Sequence, residues 1–209
     1  MSTVEMRALV RYLYEIGHLK HSKRAGWWMA GVRDPESVAE HSFRTAVIGY
    51  VLALMEGANP ASTAALCLFH DSLETRIGDI PSSSKRYVPH VDTKAILADQ
   101  VHDFPPSFHD AIVSLLDQYQ AQQSHEARLA KDADRLECLL QAREYEEQGY
   151  RKAQEWTVNN AAKLQSDAAK RLAEVCLESL PECWWDTIAH EADAERGYSP
   201  PNPNRLTGQ

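Results

Sequence analysis

An all-α fold in a single domain is what this sequence predicts, and three observations carry the prediction. No run of alternating β-branched and aromatic residues occurs anywhere in the chain. Apolar residues instead recur at three- and four-residue spacing between Gly, Pro and Ser breaks, and no repeat of fixed period points to a solenoid or propeller. With 209 residues, 44% hydrophobic and 25% charged, the chain is long enough to bury one large core and lies outside the disordered classes. We divide it into a helical bundle over residues 1–185 and a polar tail over 186–209, whose SPPNPNRLTGQ end argues against a helix.

The elements follow in order. Ser2 with Glu5 fits a capping box, Leu9, Leu13 and Ile16 follow at helical spacing, and Gly17 is the stop. His18 to Ser37 reads as a basic loop, with Pro35 suited to the first position of the next helix. That helix runs from Glu36 to Met55, with Phe43, Val47, Val51 and Leu54 on one stripe and His41, Thr45, Ile48 and Leu52 on the adjoining one. Gly57, Asn59 and Pro60 end it. A further apolar helix is expected from Pro60 to Thr75, then a loop through GDIPSSSKRYVPHVD. Helices follow near Thr93 to Val101, Ser107 to Gln122, Ser124 to Gln148 and Asn159 to Leu180.

Charge and composition exclude several classes of function. Lys and Arg total 22 against 30 Asp and Glu, and a net charge of -8 repels nucleic-acid polymers and anionic membranes. The longest apolar run, Ala46 to Met55, falls short of the roughly 20 residues that span a bilayer. The charged first residues, MSTVEMRALVRY, do not read as a signal core, so a soluble, cytoplasmic protein is expected. Cys67, Cys138, Cys176 and Cys183 form no CxxC pair, which predicts free thiols and no zinc knuckle.

Against this background four polar side chains stand out, because apolar helical context surrounds them: His41, His70, Asp71 and Asp134. Burying them unpaired would be expensive. Two imidazoles and two carboxylates from separate helices would make a mixed N/O site for a divalent ion, with positions left for water. Neighbours on a helix point about 100° apart, so His70 and Asp71 reach one ion only near a helix end or across a bundle interior. At this point alternatives stand beside that reading. His41 also reads as a hydrogen-bonded core histidine, and His70 with Asp71 as a buried pair. Asp132 competes with Asp134, although the stripe through Leu129, Ala133, Leu136 and Leu140 sets Asp134 beside the core and tilts Asp132 away.

The segments EHSFRTAVIGYVLA, LFHDSLETRIGDIP and KDADRLECLLQAREYE, in that order, resemble the HD-domain family of metal-dependent phosphohydrolases. KRAGW from Lys23 to Trp27, PESVAEHS, HDxxE and GDIP resemble its 5′-deoxynucleotidase (YfbR-like) branch, over residues 5–150. The resemblance implies that His41, His70, Asp71 and Asp134 hold one divalent ion (Mn, Co, Mg, Fe, Ni or Zn). It also implies that Glu74 acts beside a bound water, that Asp79 shapes the substrate end, and that Arg24 and Trp27 contact substrate. The implied reaction is hydrolysis of nucleoside 5′-monophosphates, deoxyribonucleotides by preference. A homodimer is implied too, with Trp156, Trp184 and Trp185 as candidates to cover a subunit face.

The chemistry agrees with those assignments. A phosphate monoester dianion approaching Asp71, Asp134, Glu74 and Asp79 meets like charge, which a divalent cation offsets. Glu74, three residues past Asp71, lies on nearly the same helical face and can orient a water or exchange its proton. The segment before His41 supplies cations, of which Arg24 matches phosphate bidentately and Lys23 only as a point charge. Lys85 and Arg86 extend a positive rim or simply face water. Trp27 either stacks on a sugar or base or anchors the loop, and Glu137 either orients a ligand or pairs with an arginine. Two other functions compete: a deoxynucleoside triphosphate hydrolase, which would recruit Lys20, Lys85 and Arg86, and a regulatory module that binds nucleotide or metal without turnover.

Overall fold

The structure is a computed structural model, and it describes residues 1–88, 91–185 and 188. The expected polar tail, 186–209, lies outside the described residues apart from Ile188. Among the described residues every regular element is helical, and the one β-bridge joins Lys23 to Ser37.

Helix α1 (Thr3–Gly17) opens on the expected Ser2–Glu5 capping box. Of the expected stripe, Leu9 and Ile16 pack inward but Leu13 does not. Ala8 and Tyr12 are buried, and Leu13 is 69% exposed. Tyr12 takes the inward position because its ring packs edge-on against Phe104, with centroids 5.2 Å apart, burying more apolar surface than a leucine. Helix α2 (Gly26–Met29) is a single turn inside the segment expected to be all loop. Helix α3 (Val38–Glu56) begins later than expected, because Ser37 and Glu40 form a second capping box and leave Pro35 upstream. Of its two stripes, the one with His41, Thr45 and Leu52 is buried, whereas Phe43, Val47, Val51 and Leu54 face outward.

Helix α4 (Pro60–Phe69), capped by Asn59, stops with His70 as its C-cap instead of continuing to Thr75. After a turn the chain resumes as α5 (Glu74–Ile77). This break is the helix end that adjacent His70 and Asp71 need in order to reach a common point. Helices α6 (Thr93–Val101), α7 (Pro106–Ala121) and α8 (His125–Glu147) follow as expected. The single helix expected over 159–180 is instead two, α9 (Gln154–Ala161) and α10 (Asp167–Glu178). Asp132 explains that break: its carboxylate accepts the backbone N–H groups of Gln165 and Ser166 at 2.7–3.1 Å. It does tilt away from the site, but into a buried capping role at 1% exposure.

Helix α8 lies at the centre, packed against α3, α4, α7, α9 and α10. Leu52, Leu66, Ala133, Leu136 and Leu139 fill the main core, each buried leucine contributing about 2 kcal/mol. At Gly49 the approach of α3 to α4 leaves no room for a Cβ, which would collide with Cys67 Sγ and lie 3.3 Å from Thr63 Cγ2. A second cluster joins Tyr12, Leu73, Leu97, Val101, Phe104 and Leu116. A third seats α2 on α8 through Trp27, Val32, Ala142 and Tyr145.

Candidate metal centre

Three elements deliver the expected ligands to one place: His41 from the first turn of α3, His70 and Asp71 from the end of α4, and Asp134 from the middle of α8. His41 Nε2 lies 3.4 Å from His70 Nε2, 3.8 Å from Asp71 Oδ2 and 3.3 Å from Asp134 Oδ1. His70 Nε2 lies 3.1 Å from Asp71 Oδ2 and 3.7 Å from Asp134 Oδ1. Adjacent donors around an ion with bonds of 2.0–2.2 Å are about 3.0–3.5 Å apart, so these spacings suit a divalent cation.

The orientation of each ring is fixed from behind. His70 Nδ1–H donates to the Cys67 carbonyl at 2.6 Å, and His41 Nδ1 is held by a very short hydrogen bond to Glu137. Both Nε2 lone pairs are thereby left for the cluster. Asp134 divides its oxygens: Oδ1 faces the imidazoles, and Oδ2 accepts from Lys131 Nζ at 2.7 Å and Tyr119 Oη at 3.1 Å.

The electrostatics show a site that demands positive charge. Burial opposes protonation of His70, yet Asp71 and Asp134 outweigh it and push the imidazole up to about 10. Burial and Arg24 likewise oppose His41, and Glu137 and Asp134 push it up to about 9. Despite burial, His70 and Arg24 hold Asp71 well below the usual carboxylate range, and the two histidines and Lys131 do the same for Asp134. An N₂O₂ donor set that holds protons on both imidazoles fits a divalent cation in their place.

Around the cluster the other expected residues divide into two groups. Arg24 is brought in: Nη1 donates to Asp71 Oδ2 at 3.0 Å and lies 4.0 Å from Asp79 Oδ1, while Nη2 lies 3.4 Å from Cys138 Sγ. Glu74 is also present, with Oε2 buried and unpartnered. Burial first, then Asp71 and Asp79, push its carboxyl up to about 9. Trp27, expected at the substrate, is instead 2% exposed. Its ring packs on Tyr145 and Trp156 at 5.1 and 5.4 Å, and Nε1–H donates to Glu36, so it anchors α2. Trp156 is thereby turned inward from the subunit face expected for it, whereas Trp184 and Trp185 are exposed. Lys23 Nζ is tied to the Pro35 carbonyl at 2.9 Å and to Asp34 at 2.7 Å, and Lys85 projects into solvent. Neither reaches the cluster.

Sequence reading passed over Lys131, Tyr119 and Arg44. Lys131 precedes Asp134 by three residues, so KDAD contained a usable i,i+3 signal, and Arg44 follows His41 at the same interval. Nothing in the local pattern around Tyr119 marks its long-range bond.

Two surface cavities lie away from the cluster. One of about 530 Å³ is lined by Lys23, Glu36, Phe43, Arg44 and Tyr145, and one of about 400 Å³ by Tyr12, Glu15, Arg76 and Gln100. Donor chemistry, and not pocket size, identifies the site.

The chain is similar to known proteins. An HD domain family model matches residues 16–176. The 5′-deoxynucleotidase HDDC2 of Bos taurus is 33% identical over 149 residues, covering 70% of this chain and 72% of the relative. Its Homo sapiens counterpart is 32% identical over 143 residues, covering 68% and 70%. The crystal structure of the PH0347 protein from Pyrococcus horikoshii OT3 superposes with a TM-score of 0.65 at 28% identity, over 81% of this chain and 96% of that one. With the family model matching residues 16–176 and relatives 32–33% identical over about 70% of the chain, the chain belongs to the HD-domain family, in the branch whose members are named 5′-deoxynucleotidases.

Proposed function

We propose that the chain hydrolyses nucleoside 5′-monophosphates, deoxyribonucleotides by preference, to nucleoside and phosphate with one divalent ion. The observation that carries this reading is the convergence of the His41, His70, Asp71 and Asp134 donor atoms at 3.1–3.8 Å around the two imidazoles. The substrate class is supported by relatives named 5′-deoxynucleotidases.

His41, His70, Asp71 and Asp134 would hold the ion. When bound, a divalent ion supplies a Lewis acid for a phosphoryl oxygen and a water of lowered pKa. Arg24 brings a guanidinium to within 3.0 Å of Asp71, where the phosphate dianion must approach. Glu74, whose carboxyl is pushed up to about 9 by burial and then by Asp71 and Asp79, would donate a proton to the leaving nucleoside oxygen. Asp79, whose Oδ1 lies 4.0 Å from Arg24 Nη1, would shape the substrate end. The triphosphate alternative is disfavoured, because its extra phosphates would need cations that lie elsewhere. Lys85 faces solvent, and the Arg86 guanidinium sits over the Tyr87 ring at 4.6 Å.

Two further features complete the proposal. A homodimer is supported by the outward stripe of α3, where Phe43, Val47, Tyr50, Val51 and Leu54 leave an apolar ridge exposed. A cytoplasmic setting is supported by the unpaired thiols of Cys67, Cys138 and Cys176; among the described residues no helix is long and apolar enough to cross a membrane.

The test is phosphate release from a panel of deoxy- and ribonucleotides after chelation and re-addition of Mn, Co or Mg. Release from deoxynucleoside monophosphates is expected to exceed that from the ribonucleotides. Turnover confined to triphosphates would contradict the proposal.

A further inference from the structure

Behind His41 a chain of contacts runs away from the metal centre. Glu137 is fully buried and divides its oxygens as Asp134 does: Oε2 meets His41 Nδ1, and Oε1 accepts from Arg44 Nε at 3.0 Å with Nη2 2.9 Å away. The rest of the Arg44 fork is also engaged. Nη1 donates to Glu144 at 2.6 Å and Nη2 to Gln141 Oε1 at 2.8 Å. The three acceptors occupy positions i, i+4 and i+7 of α8, which share one face of that helix. Arg44 itself follows His41 by three residues on α3, so ligand and guanidinium ride on one rigid element and meet at one carboxylate of another.

We propose that Arg44 is a positioning residue for the metal centre. By gripping Glu137, Gln141 and Glu144 together it fixes the carboxylate that orients the His41 ring, and so sets the site's affinity for a divalent ion. This rests on the reading of His41 as a ligand.

The physical case has three parts. A buried carboxylate with one partner removed is free to rotate, and rotation of Glu137 draws His41 Nδ1 with it and turns Nε2 off the cluster. Groups that hydrogen-bond to a ligating histidine typically carry ten- to hundredfold in metal affinity. A planar fork with several donors can bridge three acceptors spread over two helical turns, whereas an ammonium is a point charge that keeps the attraction and loses the geometry. The Arg44 side chain also lines the 530 Å³ cavity and is 29% exposed, so its acceptors on α8 take a large part in anchoring it.

The experiment measures the Co(II) and Mn(II) dissociation constants of the full chain by chelator competition. It compares wild type, Arg44→Lys, Arg44→Ala and His41→Ala, each checked for helical content and thermal unfolding without metal. Arg44→Ala is expected to bind ten- to hundredfold more weakly, and Arg44→Lys to recover only part of that loss. At saturating metal the KM for nucleotide should remain at the wild-type value in both. Arg44→Lys preserves charge and bulk, so it keeps the test open if the alanine variant does not fold. Wild-type metal affinity in either folded Arg44 variant overturns the proposal. A His41→Ala protein that keeps its metal would instead overturn the reading of the centre itself.

Discussion

Glu74 differs from every other carboxyl at the site in having a buried oxygen with no hydrogen-bond partner. Burial first, then the charges of Asp71 and Asp79, push its carboxyl up to about 9, which suits a group that donates a proton to substrate. Asp71, one turn earlier, is kept ionised by His70 and Arg24 despite its burial. Two neighbouring carboxyls are thus pushed in opposite directions by their surroundings. For Glu74→Gln we expect turnover to fall by about 10²–10⁴ with metal occupancy unchanged, because the amide keeps the shape and loses the transferable proton. Metal analysis of the purified variant beside its phosphate-release rate checks this. Loss of metal in step with activity would move Glu74 among the ligands.

At the scale of helices, what was legible followed from local rules. The Ser2 and Ser37 boxes, the Asn59 cap before Pro60 and the apolar period of α8 are short-range signals, and the four candidate ligands stood out as polar residues on apolar faces. What was not legible depends on long-range partners. The Asp132 carboxylate that separates α9 from α10 acts on residues 33 and 34 positions away. Trp27 owes its burial to Tyr145 and Trp156, which only the folded chain brings near. The two stripes of α3 look alike in sequence, yet one faces α4 and α8 and the other is left outward, with Phe43 68% and Leu54 61% exposed. An apolar ridge of that kind on one helix is expected to be covered by a second copy of the chain. Leu54→Glu should therefore shift the protein to monomer in sedimentation velocity while leaving helical content intact. A monomeric wild type at micromolar concentration would remove the dimer from the account.

Across the whole molecule, a chain of net charge -8 assembles a site for an anionic substrate by concentrating opposite charges at the junction of three helices. Arg24 arrives from the α2 segment, tied to the start of α3 through the Lys23–Ser37 bridge and the bond from Arg24 N–H to the Glu36 carbonyl at 3.0 Å. The proposed ligands come from α3, the end of α4 and α8, so metal bound there should cross-link the core elements and raise stability by mass action. The most direct test of the central claim is a titration of chelator-treated protein with Mn(II) or Co(II), following bound metal and phosphate release from a deoxynucleoside 5′-monophosphate together, in wild type and Asp71→Ala. The account predicts that activity returns in wild type as one equivalent binds, and that Asp71→Ala recovers neither tight binding nor turnover. Full activity in the metal-free protein, or an Asp71→Ala variant that binds one ion and turns over normally, would contradict it.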